Sequence, residues 1–409
     1  MNHAEAMPVA GSARLWRAGM ALLVAALCVC MLPGLAEAAK GKKKKKGKNE
    51  VVRVMTRNLY LGADLGPGLA ATNVDELVDG AGVIVNQVDV TNFPVRAQGL
   101  AQEIRQMKPD LVGLQEVAWW RTKSPVSFDV FPPKATDTEY DFLDLLLKNL
   151  NANGELYRAV VVKPEFDFET PVNDVGPPGG LAEADRNARL TMRDVVLTRV
   201  GAGVKVRNLT SGTFQTLLRV DVAGIPIDVT RGWTALDATV RKSKPFHFVN
   251  THFEAFDSGP SNETSLGTTL GRGQIRQAQA LSLVAPAGPA TSKLPVVLLG
   301  DLNSDDDTVQ ANGDQLAYTS LLSSGFVERS TATPLSCCVS SFDLRTGSVS
   351  EFDHQVDHVM TNSPKKVKLK GSFVTGQAMV NGYWNSDHNG IASVLKVPKK
   401  KAKKKKQKK

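Results

Sequence analysis

The chain has 409 residues, of which 42% are hydrophobic and 22% are charged. This balance is that of an ordinary globular protein, and it excludes a chain that is disordered throughout. The formal net charge is +9, but seven lysines lie in residues 40–48 and nine lie in residues 399–409. The chain between these lysine runs is therefore net acidic, which argues against a broad basic groove for duplex DNA.

The N-terminus has the features of an export signal. Arg14 and Arg17 precede an apolar run over residues 18–32, and small residues follow at 36–38. We predict a signal peptide over residues 1–38 and hence a secreted, extracellular protein. A membrane anchor is the alternative, but the run is shorter than the ~20 residues that a spanning helix needs. No later segment is apolar enough to span, so we expect no transmembrane segment in the mature chain.

The lysine runs predict disorder over residues 39–50 and 399–409, because like charges repel and lysines bury no apolar surface. Such runs bind polyanions by releasing counterions, and DNA, acidic envelope polymers and anionic lipids all qualify. A solubilising or wall-adhering tail is an equally good interpretation. No linker or repeat divides residues 51–398, which we expect to form a single domain and a monomer.

Strand-like and helix-like runs alternate loosely through this domain. Helical spacing of apolar residues occurs at 95–107, 140–150 and 274–283. Segments 164–189 and 253–270, rich in Gly, Pro, Asp and Asn, are expected to be long loops. The strand candidates are residues 51–55, 111–114, 157–162, 194–197, 246–249, 296–299, 356–360 and 390–395.

Polar side chains stand at the ends of four of these strand candidates, where a rigid sheet would present them to one cleft. Cleaving a phosphoester requires a cation for the phosphate oxygens, an activated water and a proton for the leaving group. The residue types in these motifs match those needs. The motifs are Asn58 in Thr-Arg-Asn-Leu, Glu116 in Leu-Gln-Glu-Val, Asp301 with Asn303 in Gly-Asp-Leu-Asn, and Asp387-His388 in Ser-Asp-His.

Each motif suits one task. Glu116 follows an apolar strand and offers the hard oxygen ligands that Mg²⁺, Ca²⁺ or Mn²⁺ prefers. Asp301 and Asn303 alternate to the same side, where the carboxylate can orient water and the amide can hold a phosphate oxygen. His388 can relay protons near neutral pH if a carboxylate fixes its tautomer, and Asp357 is the candidate partner.

A second imidazole, His252, arrives at the end of another strand candidate. Taken singly, each of these residues is also compatible with a plain turn, a surface carboxylate or an incidental histidine. Their joint occurrence in this order indicates a metal-assisted phosphoesterase.

The combination resembles the endonuclease/exonuclease/phosphatase superfamily, over most of the chain between residues 51 and 395. The resemblance implies an α/β (α+β) fold, a four-layer sandwich of two mostly antiparallel β-sheets flanked by helices, with a metal site at one edge. It implies the following roles: Glu116 as principal metal ligand, Asp387 as a second ligand, Asn58 organising metal and phosphate, Asp301 and Asn303 orienting water and phosphate, His388 as catalytic imidazole oriented by Asp357, and His252 contacting phosphate.

The chain departs from the abasic-site branch of this superfamily, because Tyr60 stands where those enzymes carry an acidic residue. Whether Arg189 or Asp194 touches substrate is left open. Cys337 and Cys338 are adjacent, and we expect a free pair packed in a loop, since a mutual disulfide would close a strained ring.

The substrate is the least determined feature. Trp119, Trp120 and Arg121 follow the Glu116 motif and could edge the cleft, where they would stack on bases or meet a lipid interface; packing beneath a loop is the alternative. With the lysine tails, the sequence favours a nonspecific nuclease. A sphingomyelinase-like phospholipase C, a phosphomonoester phosphatase and a non-enzymatic polyanion-binding wall or surface protein are the alternatives.

Overall fold

A computed structural model describes residues 48–256, 262–305, 314–330 and 335–401. The strands are β1 (Asn49–Asn58), β2 (Leu111–Gln115), β3 (Trp119–Lys123), β4 (Asp137–Asp141), β5 (Tyr157–Val172), β6 (Arg186–Arg199), β7 (Val204–Thr213), β8 (Leu218–Val222), β9 (Ile225–Val229), β10 (Gly232–Val240), β11 (Phe246–His252), β12 (Asn262–Glu263), β13 (Thr269–Leu270), β14 (Val296–Asp301), β15 (Val327–Glu328), β16 (Asp357–Thr361), β17 (Lys368–Thr375) and β18 (Gly390–Pro398).

The helices are α1 (Gly66–Leu69), α2 (Val74–Thr91), α3 (Phe93–Met107), α4 (Phe142–Leu150), α5 (Gln274–Val284) and α6 (Leu316–Ser323). Two short 3-10 turns lie at Gly180–Glu183 and Val349–Glu351. In the described ranges, none of the helices has the length and apolar character needed to span a membrane.

The strands form two large sheets. The first has eight strands in the order β17-β18-β1-β2-β6-β3-β4, with β5 also paired to β6, and the second has six in the order β15-β16-β14-β11-β10-β7. Each sheet contains one parallel pair, β1 with β2 and β11 with β14. All other pairs in these two sheets are antiparallel.

The two sheets pack face to face over a shared apolar core. Val54 and Leu111 of the first sheet and Phe248 and Leu299 of the second belong to this core. At Gly113 the sheets come so close that an added Cβ would lie 2.3 Å from Leu299 Cδ1. The sheets therefore bury their facing apolar side chains against each other, as in other sandwiches.

Helices cover the two outer faces. Side chains of α2, α3 and α4 share one apolar cluster with the first sheet, and side chains of α5 and α6 share another with the second sheet. This arrangement confirms the four-layer sandwich. All eight strand candidates overlap observed strands and all three helix candidates overlap observed helices, although residues 140 and 141 of one helix candidate belong to β4.

Some predicted boundaries are wrong. The loop expected over 164–189 is shorter, because β5 continues to Val172 in register with β6, interrupted only by bulges. Strand β1 starts at Asn49, paired with Pro398, and the Lys399 backbone N–H donates to the Lys48 carbonyl. The ladder thus orders residues at the inner edges of both predicted tails. The predicted signal peptide, the rest of the N-terminal lysine segment and residues 402–409 lie outside the described residues.

The structure also corrects the state of the two cysteines. Cys337 and Cys338 are joined in a disulfide rather than free. The loop that carries them is anchored where the backbone N–H groups of Ser336 and Cys337 donate to the His354 carbonyl. This anchoring fixes the two sulfur atoms side by side.

Candidate active site

Strand register places three of the predicted site residues side by side on the second sheet. In the parallel pair of β11 and β14, His252 lies opposite Asp301. In the antiparallel pair of β14 and β16, Asp301 lies opposite Asp357. Asp301 therefore sits between an imidazole and a second carboxylate, and all three are buried.

Asn58 connects this row to the first sheet. It is the last residue of β1, and its Nδ2 donates to Glu116 Oε1 at 3.1 Å and to Asp301 Oδ2 at 2.9 Å. Its Oδ1 accepts from the Tyr60 backbone N–H at 2.9 Å, so the amide is held in one orientation. One fixed amide thus bridges carboxylates that lie 185 residues apart in the sequence.

Glu116 is positioned by an unusual backbone conformation directly after β2. Its φ is 53°, in the left-handed region that non-glycine residues rarely adopt. This conformation turns the carboxylate toward Asn58, and Oε2 accepts from the Leu61 backbone N–H at 2.8 Å. Backbone strain of this kind clusters at functional sites, where surrounding contacts maintain it.

His388 lies just before β18 and closes the site. Its Nδ1 lies 2.8 Å from Asp357 Oδ2, and its Nε2 lies 3.7 Å from Asp301 Oδ2. Burial disfavours the imidazolium, but the charges of Asp357, Asp301 and Asp387 outweigh it and raise the pKa of His388 well above its usual value. The three carboxylates around the ring thus favour its charged form.

His252 has the opposite electrostatics. Arg231 Nη1 lies 3.1 Å from His252 Nδ1, and because a guanidinium can only donate, Nδ1 accepts and the ring proton resides on Nε2. Nε2 lies 3.6 Å from Asp301 Oδ2. Burial, with the positive charges of Arg231 and His388, lowers the pKa of His252 well below its usual value. Asp301 is thus flanked by one neutral and one charged imidazole.

Asp301 is suited to accept a proton. Burial raises the pKa of its carboxyl group, His388 opposes the shift, and Asp357 adds to it. Its Oδ1 accepts from the Asn303 backbone N–H at 2.9 Å, which fixes the carboxylate plane. The Asn303 side chain donates from Nδ2 to the Phe253 carbonyl at 3.1 Å.

Glu116 and Asp387 form the oxygen-donor side of the site. Burial raises the pKa of Glu116, and the nearby charge of Asp387 raises it further. Two carboxylates that disfavour each other's charge fit a shared divalent cation, which would supply the missing positive charge. Hard oxygen donors of this type match Mg²⁺ or Ca²⁺. On this chemistry Glu116 and Asp387 remain the predicted metal ligands, whereas the described groups whose ligand atoms lie within 4.8 Å of one another join Asp387 to Cys338 and His388, and Asp301 to Asp357 and His388.

The three residues predicted to edge the cleft make mostly internal contacts, and Trp120 lines an apolar cavity together with Glu116. Arg121 is buried, and its Nη2 donates to Thr191 Oγ1 and Asp167 Oδ1. Its guanidinium lies 4.0 Å from the centre of the Trp119 ring, whose indole N–H donates to Thr138. The Arg121 guanidinium and the Trp119 indole are thus engaged with neighbouring side chains of the sheet, although Arg121 Nε has no hydrogen-bond partner among the described residues. Trp120 is buried as well, and its indole N–H donates to the Leu61 carbonyl at 2.9 Å.

Sequence reasoning missed a buried charged cluster beside His252. Arg231 lies 3.7 Å from Glu254, and Glu165 and Asp194 are buried close to the same guanidinium. Burial raises the pKa of Glu165 to about 7, while Lys163 opposes the shift. An acidic residue at the head of the apolar run 195–197 was the available signal for Asp194. Arg189, left open by the sequence, donates instead to Asp167 from Nε at 2.8 Å.

The disulfide forms one wall of the site. The sulfur atoms of Cys337 and Cys338 lie 3.8 and 3.7 Å from His388 Nε2. The two adjacent cysteines gave no sequence signal for this position, because the loop that carries them reaches His388 only in the folded chain.

Comparison with known proteins identifies the family of the chain. A family model described as the Endonuclease/Exonuclease/phosphatase family matches residues 73–388. The chain belongs to this family. The members of the family are phosphoesterases, and the matched span includes Glu116, Asp301 and His388, whereas Asn58 precedes it. The resemblance seen in the sequence is thereby confirmed.

Solved structures of the same family are similar at low sequence identity. An endonuclease/exonuclease/phosphatase from Bacteroides vulgatus is 16% identical, covers 85% of this chain and 99% of its own, and has a TM-score of 0.46. TDP2 of D. rerio, complexed with a single-strand DNA product, is 15% identical, covers 84% of this chain and 98% of its own, and has a TM-score of 0.45. The mannosyl-6-phosphatase Bt3783 of Bacteroides thetaiotaomicron is 15% identical, covers 84% of this chain and 99% of its own, and has a TM-score of 0.44. A search of curated proteins gave no significant match.

Proposed function

We propose that this chain is a secreted, divalent-metal-dependent phosphoesterase that hydrolyses phosphodiester bonds. The observation that carries the proposal is the Asn58 amide, which bridges Glu116 and Asp301, with Asp301 Oδ2 3.7 Å from His388 Nε2. A metal ligand, a proton acceptor and a charged imidazole thus surround one point, where a phosphate can be attacked by water.

Each side chain has one task in this reaction. Asp301 orients a water molecule and accepts its proton as the new oxygen–phosphorus bond forms. The His388 imidazolium, held by Asp357, faces the phosphate oxygens and donates the proton that the departing oxygen needs when its bond to phosphorus breaks. Glu116 and Asp387 would hold a divalent cation, which would neutralise charge on the phosphate oxygens.

The substrate has two candidate classes. The lysine tails favour nucleic acid as the substrate, because they would concentrate the enzyme on a polyanion. A phospholipid-type diester, as a sphingomyelinase or phospholipase C cleaves, is favoured by an apolar cavity that begins at Glu116. Near the site, the cations Arg57, Arg193 and Arg231 are each paired with a carboxylate of the chain. These three arginines therefore do not indicate a broad cationic groove for nucleic acid.

The test uses the chain from residue 39 onward and four substrates: bis(4-nitrophenyl) phosphate, 4-nitrophenyl phosphate, plasmid DNA and sphingomyelin liposomes, each with Mg²⁺, Ca²⁺ or EDTA. We expect metal-dependent hydrolysis that His388→Ala lowers by about 10²–10⁴-fold. The matched control is His247→Ala, since His247 Nδ1 also pairs with a carboxylate, Asp237 at 2.7 Å, but at the opposite end of β11.

The non-enzymatic alternative makes a different prediction for the same preparations. A polyanion-binding surface protein would retain DNA or anionic vesicles at low salt without hydrolysing any of the four substrates, and His388→Ala would change nothing. Deleting residues 402–409 distinguishes recruitment from chemistry. We expect this deletion to reduce the salt-sensitive binding of DNA and vesicles and to leave hydrolysis of bis(4-nitrophenyl) phosphate unaltered.

A further inference from the structure

An open apolar cavity lies beside the candidate active site, between the first sheet and α2. The space that it offers to water-sized molecules is about 140 Å³. This is close to the ~150 Å³ of an engineered apolar cavity that stays dry and binds benzene. A compact domain normally fills such a space with side chains, because interiors are packed about as densely as organic crystals. The cavity therefore calls for an occupant.

The cavity is continuous with the catalytic residues. Among its lining residues only Glu116, Thr170 and Arg231 carry charged or hydroxyl groups. Glu116 accepts from Asn58 at 3.1 Å, and Arg231 contacts His252 at 3.1 Å. The polar end of the cavity is thus formed by residues of the site itself. A molecule whose phosphoryl group lies at the site would have its next atoms at this opening.

The remaining lining is hydrocarbon, most of it from two apolar clusters. Leu190 and Met192 of β6 form the inner wall and belong to the cluster beneath α2 to α4. Leu77 of α2 and the β8–β9 hairpin, through Val222 and Ile227, form the outer wall and belong to a small cluster of their own. The two walls do not close on each other, which leaves apolar surface available to a ligand.

The mouth of the cavity is lined by residues that come shortly after a site residue in the chain. Ala255 and Phe256 line it, only three and four residues after His252, and Phe256 is 37% exposed. Apolar side chains thus continue from the reacting centre to solvent, as a path for a chain entering the cavity requires.

The chemistry of the lining determines the class of occupant. A nucleobase or a sugar would bring several polar groups against walls that offer Thr170 as their one hydroxyl, and each unpaired group would be penalised. A hydrocarbon chain brings none, and it gains from leaving water. The cavity therefore matches the apolar part of an amphiphile.

We propose that this cavity binds the hydrocarbon chain of an amphiphilic phosphoester while its phosphoryl group lies among Asn58, Glu116, Asp301 and His388. The proposal rests on the proposed function and names its substrate class. It makes Arg231 and Glu116 the boundary between the polar head and the apolar tail of the substrate.

The first test varies chain length at a constant reacting group. The substrates are alkyl 4-nitrophenyl phosphodiesters with methyl, butyl, octyl and dodecyl chains, used below their critical micelle concentrations with the chain from residue 39 onward. We expect kcat/KM to rise by up to about fourfold per buried methylene and then level off when the cavity is full. Equal kcat/KM values for methyl and dodecyl esters would overturn the proposal.

The second test changes the cavity wall. Ile227→Asp places a carboxylate on the wall of the cavity, and Ala188→Phe fills it from β6. The matched control is Ile225→Asp on the same hairpin, where the side chain is 51% exposed and does not line the cavity. We expect both wall variants to reduce the dodecyl-to-methyl ratio by at least tenfold and Ile225→Asp to keep it. If a wall variant fails to fold, the chain-length series measured on the wild-type protein still tests the proposal.

A third measurement separates this proposal from the proposed function. Calorimetric titration with dodecyl phosphate and butyl phosphate in EDTA reports binding without turnover. Tighter binding of dodecyl phosphate that Ile227→Asp abolishes, together with no hydrolysis of any phosphoester, would support the cavity and refute the phosphoesterase. Metal-dependent cleavage of plasmid DNA with no dependence of binding or rate on chain length would support the phosphoesterase and refute the hydrocarbon site.

Discussion

The hydrogen bond between His388 Nδ1 and Asp357 Oδ2, at 2.8 Å, joins the two sheets of the sandwich at the candidate active site. Asp357 is the first residue of β16 in the second sheet, and His388 precedes β18 in the first. The same contact therefore both stabilises the charged imidazole and connects the two sheets. Four predictions follow from this arrangement and from the buried charges around it.

Asp357→Asn is expected to shift the pH dependence of catalysis. Asp357 is the leading contribution that raises the pKa of His388, against the opposing effect of burial. Without this charge the pKa of His388 falls, so the imidazolium deprotonates at lower pH. The alkaline limb of the kcat/KM profile, measured with bis(4-nitrophenyl) phosphate, should move to lower pH by about one unit or more.

The control for this variant is Asp237→Asn, which removes the partner of His247 at the far end of β11. The alkaline limb of the kcat/KM profile of Asp237→Asn should coincide with that of the wild type. An unshifted limb in Asp357→Asn would contradict a proton-donating role for His388.

Glu116→Gln is expected to weaken metal activation. The substitution keeps the shape of the side chain but removes the charge of a ligand that faces Asp387, so the metal concentration for half-maximal activity should rise by about 10-fold or more. Mg²⁺ titrations of activity and calorimetric titration of Mg²⁺ without substrate are the two measurements. Glu155→Gln, at an exposed position, is the control. Identical Mg²⁺ titrations for Glu116→Gln and wild type would exclude Glu116 as a ligand.

Glu103→Ala is expected to destabilise the fold near the site. Glu103 pairs with the fully buried Arg57 at 3.0 Å and accepts from Asn385 Nδ2 at 2.6 Å, three residues before His388. Its removal leaves a buried guanidinium unpaired, which costs about 3–5 kcal/mol in the free energy of unfolding. Urea unfolding followed by circular dichroism measures this loss.

The control is Glu263→Ala, because Glu263 is exposed and lies 3.8 Å from Arg219. Its unfolding midpoint should match that of the wild type. Equal midpoints for Glu103→Ala and wild type would show that the buried pair contributes nothing.

Glu165→Gln is expected to flatten the pH dependence of stability. Burial raises the pKa of Glu165 to about 7 in the folded chain, above the 4.5 of an unperturbed glutamate. Glu165 therefore binds its proton more tightly in the folded state than in the unfolded state. Its contribution to the free energy of unfolding is fully present below pH 4.5 and is lost as the pH rises toward 7. The loss amounts to about 3 kcal/mol.

The glutamine variant cannot ionise and should lack this loss. Urea unfolding at intervals between pH 4.5 and 7.5 compares the two proteins. Parallel stability curves would show that the carboxyl group titrates alike in folded and unfolded chains, contrary to the raised pKa.

Much of the fold follows from local patterns, but α2 shows where such patterns fail. Its segment contains Gly80 and Gly82, which weaken a helix in isolation. In the structure a Cβ at Gly82 would lie 1.9 Å from the Asn173 carbonyl oxygen, so glycine is required for the close approach of a distant loop. The reason for these glycines is therefore a tertiary contact, which the segment's own sequence does not reveal.

The site divides in the same way. The residue types and strand-end positions of Asn58, Glu116, Asp301 and His388 are visible in the sequence, because hydrolysis of a phosphoester needs those groups on a rigid support. The supporting partners are not visible, as Arg231 illustrates: it lies 21 residues before His252, and only strand pairing brings the two together. Arg121 shows the converse, since its neighbours in sequence suggested a cleft but its contacts are internal.

The sequence by itself determined eight of the strands, three of the helices, the family and the candidate site residues, because these depend on periodicity and on chemistry that each short segment carries. Only the tertiary structure decided that Asp301 and Asp387 join Asp357 in raising the pKa of His388, that burial and Arg231 lower the pKa of His252, and that an apolar cavity opens at Glu116. These properties depend on burial and on distances between segments far apart in the chain, and no local pattern specifies either.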